Sequence, residues 1–105
     1  MRIMLACCAG MSTSMLVAKM EEAAKVQGKD YKIWAVDQGL IEQEIGNFDV
    51  LLLGPQIQHT LRKVKKIVGD DFPVAVIKPV DYGRMNGQAV LKHAEELFNS
   101  KNGGK

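Results

Sequence analysis

The chain has 105 residues, of which 47% are apolar and 25% charged, and this length and composition predict one soluble globular domain with a single core. A net charge of +2 is too small to indicate a nucleic-acid partner, and no apolar run approaches the roughly 20 residues that span a bilayer. Two adjacent cysteines provide no disulfide framework, which predicts a reducing, cytoplasmic location. Residues 1–100 are predicted to form the domain and residues 101–105 a disordered tail. Neither a metal nor a cofactor is predicted.

The first motif is a loop that contains both cysteines and joins a predicted strand to a predicted helix. The apolar run Ile3–Ala6 indicates a buried strand, and apolar residues at helical spacing predict a helix from Thr13 to about Gln27. Ser12 or Thr13 is the predicted N-cap of this helix. The small-residue segment Cys7–Ser14 therefore lies between a strand and a helix N-terminus.

This arrangement predicts an anion site with a nucleophile beside it. The first turn of a helix leaves N–H groups unpaired, and Gly10 allows the backbone to turn so that these groups point inward. Cys7, which opens the loop, is predicted to be partly thiolate and to act as the nucleophile. The predicted phosphate-binding residues are Cys8, Ala9, Gly10, Met11, Ser12, Thr13 and Ser14. The alternative is that both cysteines are ordinary small buried residues.

Strands and helices alternate along the rest of the chain. The remaining predicted strands cover Tyr31–Val36, Phe48–Leu53 and Pro73–Ile77. The remaining predicted helices are a short one over Leu40–Ile45, one whose buried face carries Ile57, Leu61, Val64 and Val68, and one from Asn86 to about Ser100. The segment Lys78–Gly83 is predicted to be a loop. The alternation predicts a single α/β domain with a four-stranded parallel sheet, in the order 2-1-3-4, and helices on both faces.

A parallel sheet of this order binds ligands beyond the carboxyl ends of its strands, at the switch between strands one and three. The cysteine loop and the segment Gly54–Gln56 are expected to face each other there. The loop that contains Asp81 and Tyr82 is expected at the same edge. Gln56, Asp81 and Tyr82 are accordingly predicted as residues at the rim of the site.

Three motifs together resemble a known family. The segments Cys7–Ser14, Leu52–Ile57 and Tyr82–Gly87, in this order, resemble the enzyme IIB component of the bacterial sugar phosphotransferase system, in its lactose/cellobiose/chitobiose group. The likeness extends over nearly the whole chain, up to about Ser100. The family often has serine where this chain has Cys8, so a second thiol lies beside the predicted site. The fold of this family is similar to that of low-molecular-weight tyrosine phosphatases.

The resemblance implies a phosphoryl carrier. In the family, the cysteine that opens the loop receives a phosphoryl group from a phosphohistidine of the IIA component, and this position is Cys7 here. The group then passes to a sugar bound by the membrane component IIC, and the likeness suggests a disaccharide of the cellobiose, chitobiose or lactose type. The chain itself would remain outside the bilayer, at its cytoplasmic face, through contact with IIC.

Two other classes of function remain open. The first is a hydrolase of the tyrosine phosphatase type, whose loop has the form Cys, five residues, then Arg. In this chain the sixth position after Cys7 is Thr13, so the guanidinium that would clamp the phosphate is missing. The second is a non-catalytic regulatory module. A loop of neutral backbone amides favours holding a phosphoryl group over hydrolysing it.

Overall fold

Strands and helices alternate through the computed structural model, which describes residues 1–8 and 11–100 and, at residues 11 and 12, the backbone alone. The strands are β1 (Arg2–Cys7), β2 (Lys32–Asp37), β3 (Val50–Leu53) and β4 (Val74–Val76), and the helices are α1 (Met11–Val26), α2 (Leu61–Val68), α3 (Pro79–Gly83) and α4 (Gly87–Phe98). Three short 3-10 segments cover Gln38–Leu40, Glu42–Glu44 and Pro55–Thr60. The predicted tail, residues 101–105, lies outside the described residues.

The four strands form one parallel sheet in the order β2-β1-β3-β4, which confirms the predicted topology. The two inner strands are apolar along nearly their whole length, and Ile3–Ala6 of β1 is fully buried, as is all of β3. Continuous apolar runs of this kind are typical of parallel strands that are covered on both faces. The carboxyl ends of β1 and β3 therefore meet at one edge of the sheet.

Helices cover both faces of the sheet, as predicted, because side chains along β1 point alternately to opposite sides. Ile3 and Leu5 belong to the core cluster on the face that α1 and α4 cover. Met4 and Ala6 belong to the second cluster, on the face that α2 and the segment Pro55–Thr60 cover. By the same alternation, Cys7 points to the face covered by α1 and α4.

Several predicted bounds need correction. The predicted helix over Leu40–Ile45 consists of 3-10 turns, and the predicted loop over Lys78–Gly83 contains the helix α3. The predicted helix after Gln56 begins as a 3-10 segment and becomes α-helical only at Leu61. These differences share a cause, since segments of three to six residues carry too few periods for hydrophobic spacing to identify them.

The start of α1 also differs from the prediction. The helix begins at Met11, so Ser12 and Thr13 lie in its first turn and neither is the N-cap. Thr13 is fully buried. Its hydroxyl is therefore available to side chains at the end of β1, and its partners are described below.

Helices α1 and α4 pack closely at one glycine. Asn86 caps α4 by accepting a hydrogen bond from the backbone N–H of Ala89 at 3.1 Å. Gly87 follows and is buried against α1. A Cβ atom at this position would lie 2.4 Å from the carbonyl carbon of Lys19 and 2.6 Å from the backbone nitrogen of Met20. The approach of the two helices thus depends on the absence of a side chain at residue 87.

A polar cluster joins α4 to the segment between α1 and β2. Glu95 accepts hydrogen bonds from Tyr31, at 2.7 Å, and from Lys29, and its side chain is 18% exposed. Burial raises the pKa of Glu95, but the hydrogen bonds from Lys29 and Tyr31 outweigh it, so the pKa lies below its usual value. The folded protein therefore favours the ionised carboxylate.

Replacing Glu95 by glutamine is expected to lower stability by at most about 1 kcal/mol at neutral pH, since Lys29 is partly exposed and its charge is screened. A lowered carboxyl pKa contributes stability above the pKa of the unfolded chain and loses it as the pH falls through the pKa of the folded protein. The difference in melting temperature between wild type and E95Q should thus be present at about pH 7 and vanish near about pH 3. The control is E96Q, since Glu96 is the neighbouring residue and is exposed. If E96Q lowers the melting temperature as much as E95Q, with the same pH dependence, the stabilisation does not come from the hydrogen bonds of Glu95.

Candidate active site

Cys7 ends the inner strand β1 at the edge of the sheet where the predicted site lies. Its side chain is 2% exposed, whereas that of Cys8, in the bend that follows, is exposed. Neither cysteine forms a disulfide. Cys7 is thus held by the sheet and faces α1, while Cys8 projects from the strand end. The two thiols, adjacent in sequence, have opposite environments.

The sulfur of Cys7 receives a hydrogen bond from α1. The Thr13 hydroxyl donates to Cys7 Sγ with an oxygen–sulfur distance of 2.8 Å. The same hydroxyl lies 3.1 Å from the hydroxyl oxygen of Tyr82, which belongs to α3. Three parts of the fold therefore meet beside the sulfur, namely β1, the first turn of α1 and the helix α3 after β4.

Gly54 makes room for the cysteine on the neighbouring strand. Its backbone N–H donates to the carbonyl oxygen of Ala6 at 2.8 Å, which continues the β1–β3 pairing by one residue. A Cβ atom on Gly54 would lie 3.1 Å from Cys7 Cβ and 2.8 Å from Gln56 Oε1. Cys7 and the segment Gly54–Gln56 therefore lie next to each other as predicted, and a side chain at residue 54 would be in tight contact with Cys7.

The three predicted rim residues have different surroundings. Gln56 is exposed beside Gly54, and Asp81 is half-buried in the first turn of α3. Tyr82 is only 8% exposed and belongs to the core cluster between the sheet and the helices α1 and α4. Its hydroxyl contacts Thr13 and so reaches the site from within the protein rather than from an exposed rim.

The predicted phosphate-binding loop is described in part. Ala9 and Gly10 lie outside the described residues, as do the side chains of Met11 and Ser12. The helical backbone from Met11 onward places the first turn of α1 directly after this segment. The N–H groups of such a turn are available to an anion, so the described part agrees with an anion site next to Cys7.

Two features of the site escaped the sequence analysis. Asp37, at the end of the neighbouring strand β2, pairs in register with Cys7, whereas the sequence indicates only that a strand ends here. Its carboxylate accepts a hydrogen bond from the Gly39 N–H at 2.9 Å and caps the turn that follows. The hydrogen bond of Thr13 to the sulfur is the second feature, since the sequence predicts this residue as a helix N-cap or a phosphate-binding residue.

Fold and site together define an α/β domain that presents a cysteine between a central parallel strand and a helix N-terminus. This architecture is that of phosphotransferase IIB domains, which share the fold of low-molecular-weight tyrosine phosphatases. The family model "PTS system, Lactose/Cellobiose specific IIB subunit" matches residues 2–93, and the chain belongs to this family.

Individual relatives agree with this membership. The chain is 48% identical over 103 residues to the galactose-specific EIIB component of Lactococcus lactis subsp. cremoris, with 92% of this chain and 95% of the relative covered. It is equally similar, with the same coverage, to the cellobiose-specific EIIB component of Lactococcus lactis subsp. lactis. The solution structure of the cellobiose-specific IIB component of Borrelia burgdorferi superposes with a TM-score of 0.81 at 39% identity, covering 96% of this chain and 94% of that one.

Family membership places the protein among the phosphotransferases that work with IIA and IIC components of the sugar phosphotransferase system. None of the helices in the described part of the chain combines the length and apolar character that are required to span a bilayer.

Proposed function

We propose that Cys7 is the phosphorylated residue of this IIB component, which takes a phosphoryl group from a phosphohistidine of IIA and delivers it to a sugar bound by IIC. The observation that carries this assignment is the position of Cys7 Sγ. It lies at the carboxyl end of an inner strand, before the first turn of α1, and accepts a hydrogen bond from Thr13. Exposure alone would favour Cys8, but that side chain projects away from the strand end.

The chemistry is an in-line displacement at phosphorus. A bond forms between Cys7 Sγ and phosphorus while the bond from phosphorus to the histidine nitrogen breaks, and its electron pair returns to that nitrogen. The thiolate is the attacking form, and the proton released when the thiol ionises is balanced by the proton that the departing imidazole nitrogen takes up. In the second step the sugar hydroxyl attacks the phosphorus, the electron pair of the sulfur–phosphorus bond returns to sulfur, and the proton of the sugar hydroxyl is taken up so that the Cys7 thiol is restored. Backbone N–H groups of residues 8–14 would stabilise the charge on the phosphoryl oxygens in both steps.

A carrier is favoured over a hydrolase by the residue at the sixth position after Cys7. This residue is Thr13, a neutral side chain whose hydroxyl is fully buried and bound to the sulfur. It can neither clamp a phosphate bidentately, as arginine would, nor activate a water molecule as a base. The phosphoryl group on Cys7 is therefore expected to persist until a partner removes it.

The edge of the sheet that carries Cys7 also offers a surface for the two partners. Three exposed apolar side chains lie around it, namely Leu40 after β2, Val80 after β4 and Met15 in the second turn of α1, which are 42%, 54% and 61% exposed. Exposed apolar groups around a site favour protein contacts, and single side chains of this kind suit short-lived ones. Docking to IIC from the cytoplasm would hold the chain at the inner membrane face without insertion.

The sugar is proposed to be a disaccharide of the cellobiose, chitobiose or lactose type. The support comes from the relative whose name specifies cellobiose, whereas the relative of equal identity that is named for galactose points to a monosaccharide as the alternative. Because the IIB domain carries only the phosphoryl group, recognition of one sugar among these belongs to the IIC component.

The test is intact-mass measurement of the wild-type protein after incubation with a phosphorylated IIA component of this family. We expect a gain of one phosphate, which persists after the donor is removed. A IIB component of established activity serves as the control for a competent donor. If the control gains a phosphate and this protein does not, the carrier assignment is wrong. Rapid loss of the phosphate from the isolated protein would instead support a hydrolase.

A further inference from the structure

Three polar side chains form a continuous buried row behind the site. Cys7, Thr13 and Tyr82 are 2%, 0% and 8% exposed. The Thr13 hydroxyl lies between the other two, 2.8 Å from Cys7 Sγ and 3.1 Å from the Tyr82 hydroxyl oxygen. Polar groups at such depth nearly always have a hydrogen-bond partner, and here they provide one for each other. The row therefore has a defined set of donors and acceptors.

The direction of the row follows from counting protons. A threonine hydroxyl has one proton and can accept two hydrogen bonds. The proton of Thr13 is directed to Cys7 Sγ, so its contact with Tyr82 must use the tyrosine proton. Tyr82 therefore donates to Thr13, and Thr13 donates to the sulfur. A hydroxyl that accepts a hydrogen bond becomes a better donor, and sulfur is the stronger acceptor when it carries negative charge.

We propose that Tyr82 and Thr13 form a hydroxyl relay that stabilises the reactive sulfur of Cys7 before phosphoryl transfer, an assignment that rests on the proposed function of Cys7. Thr13 contacts the reacting atom directly. Tyr82 acts through Thr13 and is a positioning residue, since its hydrogen bond fixes the direction of the threonine proton. The row connects α3, which follows β4, to the sulfur at the end of β1.

The same relay has a second role once Cys7 is phosphorylated. Formation of the sulfur–phosphorus bond removes charge from the sulfur and places the phosphoryl oxygens, which are strong acceptors, next to it. The Thr13 hydroxyl can then turn to a phosphoryl oxygen while it continues to accept from Tyr82. When the group leaves for the sugar, the hydroxyl returns to the sulfur. One proton thus follows the negative charge through the cycle.

The test uses substitutions that remove a hydroxyl and keep the shape of the side chain. T13V and Y82F do so, and T13S restores a hydroxyl at position 13 while it removes only a methyl group. All are compared in the full chain carrying C8S, so that Cys7 is the single thiol. Two rates are measured for each variant: single-turnover phosphorylation by a phosphorylated IIA component at saturating concentration, and alkylation of Cys7 by iodoacetamide.

We expect T13V to slow phosphorylation roughly 10- to 100-fold at unchanged half-saturating donor concentration, because one hydrogen bond to a charged group is lost. T13S should lie within about threefold of the C8S reference, and Y82F should be about three- to tenfold slower. Since Tyr82 acts through Thr13, the double variant T13V/Y82F should be no slower than T13V. Alkylation should follow the same order.

The relay is overturned if T13V reacts as fast as the reference, if T13S is as slow as T13V, or if Y82F slows the reaction further in the T13V background. Thermal melting of every variant identifies any loss of the fold. If T13V does not fold, T13S tests the relay instead, since it keeps the hydroxyl and has nearly the same bulk as threonine. Should the reference protein accept no phosphate, the proposed function fails, and the alkylation series alone supports or overturns the relay.

Discussion

Replacing Cys7 by serine is expected to abolish acceptance of a phosphoryl group from IIA. A serine hydroxyl is not ionised at neutral pH and needs a neighbouring base to become a nucleophile. The nearby Thr13 hydroxyl is a neutral alcohol and too weak a base to take the proton of the serine. The variant should nonetheless fold, because serine is close to cysteine in size. Intact mass after incubation with the phosphorylated donor should show no added phosphate.

The neighbouring cysteine supplies the matched comparison. In C8S the exposed thiol is removed while the backbone N–H of residue 8 is kept, so a gain of one phosphate is expected. The reverse pattern, with phosphate on C7S and none on C8S, would place the reactive atom one residue later and overturn the assignment. This comparison is informative because exposure favours Cys8, whereas the hydrogen bond and the position at the strand end favour Cys7.

Replacing Gly87 by alanine is expected to destabilise the fold by about 3 kcal/mol or more, at the upper end of the cost of overpacking. Alanine is the better helix former, so propensity alone predicts a gain. The added Cβ would, however, lie 2.4 Å from the carbonyl carbon of Lys19 and 2.6 Å from the backbone nitrogen of Met20. Backbone atoms cannot rotate away, so α4 must shift from α1. Urea unfolding measures the loss.

The control for this substitution is G83A. Gly83 ends α3, and a Cβ atom there would have no neighbour within 4 Å. We expect its unfolding free energy to stay within about 0.5 kcal/mol of wild type. Equal stability of G87A and wild type would show that the two helices can separate at no cost, which would contradict the close packing described here.

The order of the sheet and its two covered faces could be predicted because the signals for them are long. The two inner strands are apolar along nearly their whole length, and α1 and α4 have enough turns for their spacing to be clear. The short elements could not be predicted in this way. In α3, for example, five residues begin with Pro79, and proline indicates a loop as readily as the first turn of a helix.

Within the site, the sequence allowed the cysteine and its loop to be predicted, but not the contacts behind them. Thr13 and Tyr82 are separated by 69 residues, and local patterning carries no information about such a pair. Thr13 also had a simpler interpretation, as a helix cap, which the earlier start of α1 removes. The pairing of Asp37 with Cys7 could not be predicted either, since it depends on the register between β1 and β2, which the sequence does not reveal.

The place of Cys7 at the end of an inner strand has a consequence for dynamics. Strand β1 is hydrogen-bonded on both sides, to β2 and to β3, whereas β4 at one edge has only three residues. Local opening begins at such edges and at surface helices, and the most protected amides lie in the central strands. The atom that must react with two different partners is thus anchored to a strand whose backbone amides are expected to exchange most slowly. The outer elements can adjust to each partner in turn while the nucleophile keeps its position.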